Sequence, residues 1–359
     1  MPTTRVGRRR LRTLSALLTL SAVLALTTAC GHSGPGTTAD GKDVLRYQGQ
    51  SGIVTAYELA DSLGYFSKIQ LHWESDTTSG PANIQAAATK QIEFGSAFNG
   101  AVVKLVSGGA PVKSVLASYG SDDLSFGAYL VKDNSPINSA RDLIGKKIAV
   151  NTLGAHYEFV AREWLHDNGL TEDEIKSVQF VVIPPVSAEE ALRNGQVDVA
   201  ALSSPFLDVA DQRGGVRTLF TDKALFGKFD YGTYVFRTDY IAAHPDAVKD
   251  FVQGTARAIR WLQTTPTDQV QAKFRAVIAA RGRNENDGLV KIWKSPGIPV
   301  PGAVIAEKEI QIWIDWLGRN GDQAAGKLHA ADLFTNQYNP YANGTYPSDS
   351  GPNGEAIAK

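Results

Sequence analysis

Four short stretches carry the residue types from which a small-anion site can be built. They are Gln50-Ser51-Gly52, Phe98-Asn99-Gly100, Asn151-Thr152-Leu153-Gly154-Ala155 and Ser203-Ser204-Pro205-Phe206. Each lies where a strand-like run gives way to a helix-like one. The first turn of a helix has unpaired backbone N–H groups and a partial positive charge. Hydroxyl and amide side chains, together with glycine, let an acceptor approach those groups. The alternative for each stretch is an N-cap, where Ser, Thr or Asn steadies its own helix by about 1 kcal/mol. His156, at a helix start, could donate a hydrogen bond to an anion. Phe98 and Phe206 could pack on the apolar part of a ligand, and Tyr231 could face the same crevice. For these four, packing in the interior is the competing role. The candidate binding set is therefore Gln50, Ser51, Gly52, Phe98, Asn99, Thr152, Gly154, Ala155, His156, Ser203, Ser204, Phe206 and Tyr231.

None of the four loops contains Arg or Lys, while Glu58 and Glu158 lie close to two of them. A dianion would be poorly compensated there; a monoanion or a neutral polar molecule fits better. Enzyme signatures are missing. There is no Gly-x-Ser-x-Gly elbow and no His-Glu-x-x-His pair. The six histidines are scattered, with no two at metal-ligand spacing on one helix. Ser51 and His156 could form a nucleophile pair, but no orienting acid is evident. The reading is a binding protein without catalysis, cofactor or metal, and a monomer.

The elements that must position these loops alternate along the chain. Strands are expected at 44–47, 69–74, 92–97, 112–118, 126–131, 147–150, 178–183, 197–202 and 216–220. Helices are expected from Thr55 to Leu63, from Pro81 to Lys90, from Asn99 to Ser107 and from His156 to Asn168, with Gly64 and Gly169 as stops. A short helix from Ser139 ends at Gly145. Thr171 with Glu174, and Ser187 with Glu190, fit capping boxes. From Pro245 to about Gly318 the chain reads as helical, with Phe251, Ala258, Ile259 and Leu262 on one apolar face. Strand–helix alternation implies sheets covered by helices on both faces. Two such units and a helical block suggest two α/β lobes, with ligands between them at the C-terminal ends of strands.

The N-terminus reads as an export signal: Arg5, Arg8, Arg9, Arg10 and Arg12, an apolar run from Leu14 to Leu26, then small residues. The run falls short of the about 20 apolar residues a membrane-spanning helix needs. Leu26-Thr27-Thr28-Ala29-Cys30 resembles a bacterial lipobox, which implies lipid on Cys30, the chain's single cysteine, after removal of residues 1–29. Acyl chains would hold the protein at the outer face of the membrane. Residues 30–42 have a tether's composition. The full chain carries −1; the signal takes five arginines with it, leaving 31 Lys+Arg against 37 Asp+Glu, or −6. That balance argues against nucleic-acid binding. With 43% hydrophobic residues the remainder can build cores without disulfides.

From about Val44 to Asn339 the chain resembles the sulfonate, taurine and nitrate substrate-binding proteins of ABC importers. Several stretches carry the likeness in order. Tyr57-Glu58-Leu59-Ala60 with Leu63-Gly64-Tyr65-Phe66 resembles the family's first helix and its G-Y-F ending, and Phe94-Gly95-Ser96-Ala97 its third strand. Asp142-Leu143-Ile144-Gly145-Lys146-Lys147-Ile148-Ala149-Val150 resembles D-L-K-G-K-K-V-A-V, and Ala155-His156-Tyr157 the T-A-H-Y after it. Ala191-Leu192-Arg193-Asn194-Gly195-Gln196-Val197-Asp198-Val199 resembles A-L-x-x-G-x-V-D-A, and Leu333-Phe334-Thr335-Asn336 the closing L-Y-T-N. Ser203-Ser204 departs from the Trp-Asp that many members carry before Pro-Phe, removing a bulky wall and a carboxylate. The resemblance implies a two-lobed periplasmic-binding fold of type II topology. Its two crossovers fall near 131–134 and 230–236. The first lobe is then 43–132 and 232–344, the second 133–231, and 345–359 a frayed tail. It implies a small-molecule solute and a permease–ATPase complex as partners. Neutral heterocycles, such as a thiamine-pyrimidine precursor, an enzyme on the same fold, and a sensor lobe are the alternatives.

Overall fold

A computed structural model describes residues 36–357. The expected signal and Cys30 lie outside the described residues. The chain opens with β1 (Asp43–Gly49), α1 (Ala56–Ser62), β2 (Ile69–Asp76), α2 (Gly80–Ala88), β3 (Phe94–Phe98), α3 (Asn99–Ser107) and β4 (Val112–Ser121). A second series follows: β5 (Ala128–Lys132), β6 (Lys147–Val150), α4 (His156–Asp167), α5 (Glu172–Ser177), β7 (Gln179–Val182), α6 (Pro185–Arg193), β8 (Val199–Leu202), α7 (Phe206–Arg213), β9 (Val216–Thr221) and α8 (Asp222–Phe226). The chain then returns through β10 (Phe229–Arg237) to α9 (Thr238–Ala243), α10 (Pro245–Thr264), α11 (Thr267–Arg281), α12 (Lys308–Arg319) and α13 (Ala330–Leu333).

The first lobe holds the parallel pair β1–β2 and the antiparallel order β3–β10–β4. Glu93 ties the two: it accepts from the Arg46 amide and guanidinium at 2.7 Å each, and its own N–H donates to Arg46 O at 3.1 Å. All nine residues of β10 are buried, as a central strand demands. Gly232 is required within it, because a Cβ there would lie 2.3 Å from the Tyr119 ring. Phe251, Ala258, Ile259 and Leu262 of α10 are all buried, as their spacing predicts. The second lobe is a five-stranded sheet of order β7–β6–β8–β5–β9, parallel except for β5. Val199 to Leu202 is buried throughout, the pattern of a strand covered on both faces.

Several expectations are corrected. β5 pairs with β8 and β9, so the chain leaves the first lobe at 122–127 and comes back through 222–228, earlier than 131–134 and 230–236. Strand patterning shows that 128–132 is buried but not which sheet supplies its hydrogen bonds. Ser187 and Glu190 form no capping box, because α6 starts at Pro185 with Pro184 before it; Thr171 with Glu174 does form one. The helical block is interrupted after α11 by Gly282, at φ 65°, and by a proline-rich segment up to α12. Residues 36–42 of the expected tether turn back on β1, with Thr38 N–H donating to Lys42 O at 2.9 Å and Val44 N–H to Gly36 O. The tail is docked through 357. Arg260 donates to Ser350 O at 2.6 Å and Asp349 O at 3.0 Å, Arg257 to Pro352 O at 3.1 Å, and Tyr341 Oη to Gly351 O at 3.0 Å. Its carbonyls are thus satisfied by arginines of α10, a long-range pairing that composition does not reveal. Among the described residues no helix is long and apolar enough to cross a membrane.

Candidate functional site

The two lobes meet through loops that follow their strands. Ser79, ahead of α2, and Thr152, after β6, bring their hydroxyls to 3.5 Å across the crevice. Thr152 was expected here; Ser79 was not singled out, although Ser79-Gly80-Pro81 sets an N-cap serine ahead of a first-turn proline, the signature of a helix start. Ser79 does cap α2, accepting from Ala82 N–H at 3.4 Å.

The loops expected to be anion cradles turn out differently from one another. α1 is capped by Thr55 with Glu58, not by Ser51. Gln50 and Ser51 are exposed beyond the end of β1. Gly52 is buried in the left-handed conformation, φ +73°, where a Cβ would meet Asn286 O at 2.6 Å. Asn99 does not face a crevice. It is 1% exposed, and its Nδ2 donates to Glu309 O at 3.1 Å and Asp230 O at 3.4 Å, tying α12 to β10. Phe98 likewise packs in the first-lobe core, 4.5 Å from Trp313 between ring centroids, with one edge toward His156 at 5.6 Å. Phe206 packs against the apolar cluster beneath β8. For Phe98 and Asn99 the interior role is the one the structure displays, while Phe206 is half-buried at the edge of its cluster.

In the second lobe the starts of α4 and α7, where the candidate loops lie, are open. The residue before α4 is Ala155 and that before α7 is Pro205; neither helix has a side-chain cap. Thr152, Ser203 and Ser204 therefore do not serve as caps for their helices. Among the described residues the amides of His156 and Tyr157 take no hydrogen-bond partner. The Gly154 N–H is taken by Glu158 at 2.9 Å, and Glu158 is itself paired with Arg162 at 2.8 Å. Ser203 stands beside the Tyr157 phenol. Burial pushes the phenols of Tyr157, Tyr231 and Tyr119 upward, so they remain protonated donors at neutral pH.

His156 is the meeting point. Its ring stacks on Tyr231 at 3.6 Å between centroids and 5° between planes. Its Nε2 lies 2.9 Å from Asp222 Oδ2, both side chains buried. The other oxygen of Asp222 accepts from Ser121 Oγ at 2.7 Å and Gly127 N–H at 3.0 Å. Ser121 ends β4, Gly127 sits in the first crossover, and Asp222 opens the second. One carboxylate thus joins both crossovers to the start of α4. Sequence reasoning missed it, since Asp222 is 66 residues from His156 and no local pattern links them.

Charge is also redistributed by the fold. Glu58 accepts from Tyr47 Oη at 2.8 Å and pairs with Arg281 at 2.8 Å and Arg283 at 3.5 Å. Arg283 lies over the Trp73 ring at 4.3 Å, next to Gly49 at the end of β1. Lys294 pairs with Asp208 in the first turn of α7, joining the two lobes. The acidic bias expected near two loops is therefore offset, at Glu58 by cations more than 200 residues away and at Glu158 by Arg162 one turn on.

Two lobes joined by paired crossovers, with uncapped helix starts at the strand ends between them, define the two-lobed α/β binding-protein fold. Solved structures share the architecture. The alkanesulfonate-binding protein SsuA of Xanthomonas axonopodis bound to MOPS superposes with TM-score 0.63 at 19% identity, covering 82% of this chain and 98% of that one. The desulfurization enzyme DSZB superposes at 0.57 and 15%, covering 85% and 99%. At such identities the likeness is one of fold. The chain belongs to the NMT1/THI5-like family, whose model matches residues 53–269. A Bacillus subtilis protein named for aliphatic sulfonate binding is 26% identical over 252 residues, 68% of this chain and 73% of its own. The taurine-binding periplasmic protein of Escherichia coli is 25% identical over 185 residues, 50% and 54%.

Proposed function

We propose that this chain is the extracytoplasmic solute receptor of an ABC importer, held at the membrane by lipid on Cys30, and that its solute is a small polar or monoanionic molecule of the sulfonate, taurine or nitrate kind. A relative named for aliphatic sulfonate binding and one named as a taurine-binding periplasmic protein support export and the class of solute. One observation carries the location: the open start of α4, with unpartnered amides at His156 and Tyr157, faces the crevice where Thr152 meets Ser79 at 3.5 Å. Thr152, Gly154, Ala155, His156, Ser203 and Ser204 from one lobe, with Gln50, Ser51, Ser79 and Tyr231 from the other, form the proposed site. Such a ligand is held by amide and hydroxyl donors, with helix dipoles in place of a formal charge. Lobe closure around it would follow hinge motion about 122–127 and 222–228.

The test is a thermal-shift titration with ethanesulfonate, taurine, nitrate and a neutral aminopyrimidine. A ligand bound only by the folded state at about 100 times its Kd stabilises by about 2.7 kcal/mol. Shifts with the anions alone support the reading; a shift with the pyrimidine alone replaces it with the neutral-heterocycle alternative. A second reading, an enzyme, draws on Asp222, which supplies His156 with the orienting acid that the sequence lacked. Turnover of an activated ester that is lost in Ser51→Ala would favour it.

A further inference from the structure

We propose that capture of an anion in this crevice takes up one proton, and that His156 carries it. The inference rests on the anion-receptor reading above and concerns the protonation of that same site. The Asp222 carboxylate already accepts two hydrogen bonds on one oxygen, from Ser121 Oγ at 2.7 Å and Gly127 N–H at 3.0 Å. Ionised and acceptor-only, it requires the imidazole nitrogen at 2.9 Å to be Nε2–H. In the neutral ring the remaining nitrogen, Nδ1, then presents a lone pair. Nδ1 is buried and has no hydrogen-bond partner among the described residues, in a side chain 7% exposed.

That nitrogen belongs to the first residue of the 12-residue α4, whose own amide and that of Tyr157 have no partner among the described residues. An anion drawn to those amides meets a lone pair if the ring is neutral and an N–H if it is protonated. Binding and protonation therefore favour one another: a proton from solvent bonds to Nδ1, and that N–H donates to an anion oxygen. When the anion leaves, the proton returns to solvent. One carboxylate and several aromatic rings surround the imidazole. Asp222 on α8 is the one carboxylate hydrogen-bonded to the ring, and Tyr231 on β10 offers a phenol face at 3.6 Å, which stabilises a stacked cation. Tyr157 on α4 contributes a neutral phenol, while Phe98 on β3 and Phe229 on β10 lie as uncharged rings at 5.6 and 6.0 Å. Glu158, the other carboxylate of this turn, is engaged by Gly154 N–H and Arg162.

The experiment is calorimetric titration of the mature protein with ethanesulfonate, taurine and nitrate, each in phosphate and in Tris, from pH 6 to pH 9. Buffers of different ionisation enthalpy report the protons exchanged. The expected result is uptake approaching one proton per anion on the alkaline side, with affinity falling there by up to about tenfold per pH unit. His156→Gln keeps an amide donor that cannot titrate: it should bind with no proton uptake and a flat pH profile. His156→Phe preserves stacking on Tyr231 but has no donor, and should lose affinity at every pH. Anion binding by the wild type without proton uptake overturns the proposal and leaves the receptor reading intact. A His156→Gln profile as steep as the wild type's also overturns it. If none of the three anions binds, both fail. Should a variant not fold, the wild-type proton count decides alone.

Discussion

Asp222 offers the most direct test of how the two lobes are held together. Its carboxylate is fully buried and receives hydrogen bonds from Ser121 Oγ, Gly127 N–H and His156 Nε2 at 2.7, 3.0 and 2.9 Å. Asp222→Ala leaves all three donors buried and unsatisfied. Each such group costs about 1–3 kcal/mol, so with partial relaxation the loss is roughly 3–6 kcal/mol. A chain of this size unfolds with an entropy of about 0.7 kcal/mol/K, which converts the loss to a fall in Tm of about 4–9 °C. Asp222→Asn keeps an acceptor for Ser121 and Gly127 but sets an amide against His156, and should cost about a third as much. Ser121→Ala removes a single donor and should cost about 1 kcal/mol. Differential scanning calorimetry of the three variants gives the ranking. A fall below 1 °C in Asp222→Ala, or a larger fall in Ser121→Ala, would refute the idea that this carboxylate anchors both crossovers.

Further outcomes follow from single contacts. Asp230 is 1% exposed, neither of its oxygens has a partner among the described residues, and burial with Glu309 nearby pushes its carboxyl well above the usual range. A raised folded-state pKa means stability that is complete below the unfolded value of about 3.9 and is lost as pH rises toward the folded one. Asp230→Asn should therefore be more stable than the wild type at pH 8, with the advantage shrinking toward pH 4; a constant difference between their Tm-versus-pH curves would contradict this. Gly232→Ala forces a methyl to within 2.3 Å of the Tyr119 ring and should cost about 1–3 kcal/mol or more in urea denaturation. Thr152→Val removes a hydroxyl from the crevice without changing its size; ligand affinity should drop by about tenfold while Tm without ligand changes little. Lys294→Ala leaves buried Asp208 without its cation, so Tm should fall, and should be less sensitive to added salt than in the wild type.

Much of the architecture was legible because it depends on local periodicity. The strand at β8 reads as an apolar run, α10 as an amphipathic helix, and Thr171 with Glu174 as a capping box, whereas β10 was not among the expected strands; each legible signal lies within a few residues. His156 and Thr152 were legible as site candidates for the same reason, standing where a strand hands over to a helix. Asn99 carried the same signal and misled, because an amide side chain that faces a neighbouring helix and one that faces a ligand look identical in sequence.

What the chain's order of residues determined, then, was many of the strands and helices, that they alternate in two series, and that the four loops ahead of helices contain no Arg or Lys. Tertiary structure alone decided that β5 joins the second sheet, that arginines of α10 dock the tail, and that Arg281 and Arg283 neutralise Glu58. It also decided that Asp222 lies against His156. The physical reason is range. Propensity, capping and amphipathicity act over one or two turns of chain, whereas ion pairing and buried hydrogen bonding depend on distance in space, and folding sets that distance with no regard to separation along the sequence.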